Sequence, residues 1–157
     1  MHSPARVLVV ANRTAATPAL RDAVEERADR GRARFHLVVP ANPNGMHRVV
    51  DPEVAGREEA AARLEEALPL LGDAADSEVT GEVGSADPLA AMMDALYHHG
   101  FDEIILSTLP RRFSRWLRVD LPSKARGLGL PVTHVEVPEA AVQPEAEVQR
   151  EAALAAR

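Results

Sequence analysis

Four arginines fall within eight residues: Arg111, Arg112, Arg115 and Arg118. Guanidinium groups fork onto phosphate and carboxylate oxygens, so such a cluster suits an anion. On a helix, the spacing of three would put Arg112, Arg115 and Arg118 on one face. Two readings stand for them: a solvated face opposite Phe113 and Trp116, paired with nearby acids, or an anion site. Two short polar runs share the interest. Asn12-Arg13-Thr14 and Ser107-Thr108 each follow an apolar run, and their amide and hydroxyl groups can serve one ligand only if the fold brings them together.

Other chemistry is excluded or left without a partner. The chain has no Cys, so disulfides and thiolate zinc sites are excluded. His98 and His99 are adjacent, and neighbours on a helix point about 100° apart, so they do not chelate together. They read as a solvated helix end near the negative pole of the dipole. His134 reads as an exposed or half-buried residue of an edge strand, and no metal site is assigned. Gly127-Leu128-Gly129 is not followed by a helical pattern, so it reads as a terminator and loop. No phosphate-binding Gly-Lys loop and no Gly-x-Ser-x-Gly elbow occur. No catalytic residue and no cofactor are assigned.

The elements that must position these residues are legible from hydropathy. Val7 to Ala11 and Glu103 to Leu106 are largely apolar runs, as is Phe35 to Pro40, and such runs suit strands buried on both faces of a parallel sheet. Glu78 to Val83 and Val132 to Val137 alternate, as edge strands do. Thr17-Pro18 predicts a hydroxyl-capped helix carrying Leu20, Ala23, Val24 and Ala28 and ended by Gly31. A second helix is expected over Gly56 to Leu68, with Pro69 ending or kinking it. Asp87-Pro88 starts a third, with Leu89, Met92, Met93 and Leu96 on one face and Gly100 closing it. Arg111 to Val119 is expected as a short amphipathic helix with Phe113, Trp116 and Leu117 inward. Ala41 to Pro52 reads as a loop.

The resulting order βαβαβαβαβ, with strands one, two and four buried, is satisfied by a three-layer α/β sandwich. Its five-stranded parallel sheet has order 3-2-1-4-5, with right-handed crossovers. In that order the winding reverses between strands one and four, and open α/β sheets bind ligands at such a point, beyond the carboxyl ends of the strands. The expected ligand-binding set is therefore Asn12, Arg13, Thr14, Ser107, Thr108, Arg111, Arg112 and Arg115.

Composition bounds the rest. The chain has 157 residues, 46% hydrophobic and only 3% aromatic, so its core is aliphatic. Twenty-four acids against eighteen bases give a formal charge of -6, which disfavours a nucleic-acid surface. No apolar run approaches the roughly 20 residues that span a bilayer, and Val7 to Ala11 is too short for a signal-peptide core. A cytoplasmic location is expected, without membrane partners.

From Arg6 to Val137 these residues resemble the universal stress protein family. Val7-Leu8-Val9-Val10-Ala11-Asn12-Arg13-Thr14 is similar to its first strand and Val-Asp-Gly-Ser loop. Gly84-Ser85-Ala86-Asp87-Pro88-Leu89 resembles its Gly-Asp-Pro helix entry. Asp102 to Thr108 resembles its Ala-Asp-Leu-Ile-Val-Met-Gly-Ser strand, and Leu130 to Val135 its closing strand. The resemblance implies a Rossmann-like domain over residues 1–137 and a homodimer through Val132 to Val137, while residues 138–157, rich in Ala and Glu, read as a C-terminal tail able to form a loose helix. It also implies a nucleotide pocket. ATP-binding members carry Gly, two residues, Gly, nine residues, then Gly followed by Ser or Thr. The matching positions here are Ser107, Pro110, Asp120 and Leu121, without a glycine among them, and the acid of the first loop is Asn12. The expected function is a non-catalytic protein that binds a small anionic or nucleotide-like, phosphate-containing ligand without the family's ATP motif. Two alternatives stand: a scaffold whose pocket is vestigial, and an enzyme that uses the arginines on a phosphorylated substrate.

Overall fold

A computed structural model describes residues 3–41 and 52–142. Five strands alternate with helices: β1 (Ala5–Val10), α1 (Pro18–Asp29), β2 (Ala33–Pro40), α2 (Pro52–Ala75), β3 (Thr80–Gly84), α3 (Pro88–His99), β4 (Glu103–Thr108), α4 (Arg115–Arg118), α5 (Leu121–Arg126) and β5 (Val132–Glu136). The sheet order is β3-β2-β1-β4-β5, and every pairing is parallel. This is the expected topology, with β3 and β5 at the edges.

Side-chain alternation splits the core between the two faces of the sheet. Val7, Val9, Leu37, Val39 and Ile105 face one layer, where Leu20 and Val24 of α1 and Ala60, Ala67 and Leu71 of α2 cover them. Leu8, Val10, Val38, Ile104 and Leu106 face the other, under Ala91, Met92 and Ala95 of α3, Trp116 of α4, and Leu121 and Ala125 of α5. Small residues let the layers approach at the β3 edge. A Cβ at Gly81 would lie 2.5 Å from a methyl of Leu64 on α2, and one at Gly84 would lie 2.8 Å from the Ala91 methyl on α3.

Local signals decide several ends. Asp87 caps α3 by accepting from the Leu89 amide at 3.1 Å, and Gly100 closes it with φ at 69°. At α1 the outcome differs: the Thr17 hydroxyl makes no cap bond and donates instead to the Thr14 carbonyl at 2.7 Å, bracing the preceding loop.

Helix α2 is also longer than its sequence predicts. It continues through Pro69 to Ala75. Pro69 is exposed, while Ala67 and Leu71 on either side of it are buried in the core. Burial on one face holds the helix together where proline removes only one hydrogen bond on the other. Beyond β4 the expected helix over Arg111 to Val119 shrinks to the turn Arg115–Arg118, because Ser114 caps it by accepting from the Leu117 amide at 3.3 Å. Phe113 stays outside at 39% exposure, and only Trp116 is buried. Asp120, at φ 54°, then redirects the chain into α5, an element with too few residues to show a hydropathy period. The expected tail is described only as far as a single turn over Glu139–Ala141, and residues 143–157 lie outside the described residues, as do 42–51 of the expected loop.

Candidate functional site

β1 and β4 are neighbours, and the chain leaves their carboxyl ends in opposite directions, towards β2 and towards β5. That divergence opens the crevice expected of such sheets. Thr14 follows β1, and Ser107 is the second-last residue of β4. Their hydroxyls hydrogen-bond to each other at 2.7 Å across a sequence separation of 93. Both are buried, at 2% and 1% exposure. The two polar runs singled out in the sequence therefore do meet.

Asn12 is buried beside them. Its amide donates to the Pro40 carbonyl at the end of β2 at 2.7 Å, and its amide oxygen accepts from the Arg63 guanidinium. Arg63 lies on α2 and brings a cation to Asn12 that sequence reading passed over. Nothing local marks it, since the contact joins residues 51 apart. A second neighbour missed in the sequence is His134. Its Nε2 and the Thr108 hydroxyl lie 2.8 Å apart, across the β4–β5 pair. Burial pushes the His134 imidazole below its usual pKa, with Glu136 opposing and Arg126 reinforcing that shift. Burial thus favours the neutral imidazole. Thr108 is itself only 2% exposed, so the pair reads as a positioning contact for the β4 end.

The arginines after β4 behave differently. Arg13, Arg111, Arg112 and Arg115 are all exposed. Because α4 starts only at Arg115, Arg112 does not share a helix face with Arg115 and Arg118. It stacks instead on Phe113, with the guanidinium 5.0 Å from the ring centroid, and its carbonyl accepts from Arg118 at 3.2 Å. Among the described residues, no hydrogen bond or ion pair joins Arg111, Arg112 or Arg115 to Asn12, Thr14, Ser107 or Thr108.

The positions that the sequence resemblance sets against the family's glycine motif have distinct geometry. Pro110 offers no N–H, and its carbonyl accepts from Phe113 at 2.8 Å. Asp120 holds the left-handed conformation that glycine favours, with a carboxylate added. Leu121 is 1% exposed and packed into the core under the sheet.

No family model matches the chain, and no curated protein matches it. Solved structures do. A universal stress protein family member from Burkholderia pseudomallei is 20% identical with a TM-score of 0.59, covering 83% of this chain and 95% of its own. The universal stress protein from Archaeoglobus fulgidus in complex with dAMP is 23% identical with a TM-score of 0.55, covering 86% of this chain and 99% of its own. A universal stress protein in complex with cAMP is 13% identical with a TM-score of 0.55, covering 85% of this chain and 98% of its own. With the strand order and the split core, these matches establish that the chain has the universal stress protein fold.

Proposed function

We propose that the crevice beyond β1 and β4 binds a small anionic ligand of nucleoside-monophosphate type, without catalysis. The observation that carries this reading is the Thr14–Ser107 contact between the ends of β1 and β4, with Asn12, two residues before Thr14, holding the Arg63 guanidinium. It supplies hydroxyls and a cation where a sugar and one phosphate would sit. Two proteins of similar fold hold dAMP and cAMP, which supports a ligand of that size. Arg13, Arg111, Arg112 and Arg115, exposed near the same end, would raise the local concentration of an anion in a chain of net charge -6.

A triphosphate fits this site poorly. Backbone amides cradle phosphates only where side chains are missing. Here the corresponding positions carry a proline, a carboxylate and a buried leucine. ATP is expected to bind no tighter than about millimolar, or about -4 kcal/mol. Calorimetric titration with AMP, dAMP, cAMP and ATP tests this. Saturable binding of a monophosphate that is weakened by Arg112→Ala/Arg115→Ala, with an unchanged melting temperature, supports it. Micromolar ATP binding defeats it.

A second reading, a scaffold with a vestigial pocket, is favoured by one fact: Thr14 and Ser107 already satisfy each other. Absence of any nucleotide binding would select it. For either reading a homodimer through β5 is proposed. That strand pairs with β4 on one flank, and Val132 to Val137 contains no Pro, Lys or Arg to protect the other. Antiparallel pairing of two copies would satisfy it. Light scattering checks this, since a mass near 16.9 kDa instead of twice that value excludes the dimer.

A further inference from the structure

A cluster at the opposite edge of the sheet lies outside the crevice. His36 of β2, Glu82 of β3 and His99, the last residue of α3, each offer one ligand atom, and the three atoms lie within 4.8 Å of one another. Adjacency kept His98 and His99 from chelating as a pair. The fold instead turns His99 towards two strand residues, His36 and Glu82.

The geometry points to a divalent transition-metal site of zinc type, with two imidazole nitrogens and one carboxylate oxygen as protein ligands and one position open. Tetrahedral zinc with bonds of about 2.0–2.1 Å places neighbouring ligand atoms about 3.3 Å apart. Glu82 Oε1 lies 3.2 Å from His36 Nε2 and 3.4 Å from His99 Nε2, so two edges of that tetrahedron are already drawn. His36 is also oriented as metal-bound histidines are, its other ring nitrogen, Nδ1, being held 2.8 Å from the Thr80 hydroxyl. Phe101 lies alongside that ring, with centroids 5.9 Å apart, and flanks His99 at 6.2 Å.

A plain ion pair accounts less well for the cluster. His36 Nε2 is buried and makes no hydrogen bond, although the carboxylate oxygen is 3.2 Å away. In the tautomer whose Nδ1 donates to Thr80, Nε2 carries a lone pair, and the ligand atoms of Glu82 and His99 lie within 4.8 Å of it. A buried acceptor facing a carboxylate is unfavourable, and a cation between them satisfies both. Mixed imidazole and carboxylate donors select zinc and its first-row neighbours over calcium or magnesium.

The test is calorimetric titration of the full chain with Zn²⁺, repeated with Co²⁺ followed by visible absorption. One ion per chain is expected, with the intense visible bands of four-coordinate Co²⁺. Glu82→Gln and His99→Asn each remove a ligand at a part-exposed position and should weaken binding at least tenfold. Thr80→Val, which frees the His36 ring, should weaken it about tenfold. His98→Ala should leave it unchanged. Two results overturn the site: zinc affinity poorer than about 100 μM, or zinc binding that survives both Glu82→Gln and His99→Asn.

Discussion

The two ends of the sheet handle buried polar groups in opposite ways. At the carboxyl ends of β1 and β4, Thr14 bonds Ser107, and Asn12 is held by both Pro40 and Arg63. At the β2–β3 edge, His36 carries a buried nitrogen that bonds nothing although a carboxylate and a second imidazole stand beside it. A site whose groups satisfy each other is stable when empty, and its ligand must replace those bonds with equal ones. A site with an unsatisfied buried atom is less stable alone and gains more from its ligand. On the two proposals above, the difference separates a crevice whose ligand would bind weakly and selectively from a cluster that would gain stability from an ion.

The largest test of this contrast is at Asn12. Asn12→Ala removes one partner from the Pro40 carbonyl and one from Arg63, and it should lower stability by about 2 kcal/mol in denaturant titration. If stability is unchanged, the crevice is wet and its bonds are replaceable by water. Next come the two hydroxyls. Ser107→Ala and Thr14→Val should each cost about 1–2 kcal/mol, because each leaves the other hydroxyl buried without its partner. The double variant should cost less than their sum, with a coupling of about 1 kcal/mol in a double-mutant cycle. Strict additivity would show that the pair does not close the crevice. A smaller gain is expected from Asp120→Gly. Left-handed backbone strains a residue that has a Cβ, although Asp tolerates it better than most, so chemical denaturation should show about 0.5 kcal/mol of added stability. A loss would mean that the carboxylate has a stabilising role at the start of α5.

The sheet order was readable because each strand carries its burial in its own residues: continuous apolar runs at β1 and β4, alternation at the edges. The meeting of Thr14 and Ser107 was readable too, since it follows from strand order alone. Features that depend on distant partners were not. Arg63 sits on a helix whose pattern says only which side is buried, and its contact with Asn12 needs the packing of α2 on the sheet. His99 looked like half of a solvated pair until the register set His36 opposite Thr80 and brought Glu82 beside it. Local patterns misled where a tertiary contact outweighed them: Pro69 did not end α2, and the Thr17 hydroxyl turned to Thr14 instead of capping α1. The run of arginines misled in a further way, because helical spacing was applied to residues that precede the helix.

The smallest effect expected is also the most specific to the crevice. His134 is half-buried beside Thr108, and burial lowers its pKa below the usual 6.5. The unfolded chain therefore takes up this proton at a higher pH than the folded protein does. Stability rises with pH wherever the unfolded state binds more protons. The contribution of His134 is accordingly complete above the unfolded value and declines as pH falls below about 6.5. Other groups contribute to the pH dependence of the whole protein, so its slope alone assigns nothing to His134. The comparison with His134→Gln does. Glutamine keeps a polar group facing Thr108 and cannot be protonated. Denaturant midpoints measured from pH 7.5 to pH 5 should fall less steeply for the variant than for the wild type, the two curves converging towards the acid end. Parallel curves would mean that His134 is as well solvated in the folded protein as in the unfolded chain, and that the β4 end of the crevice is open to water.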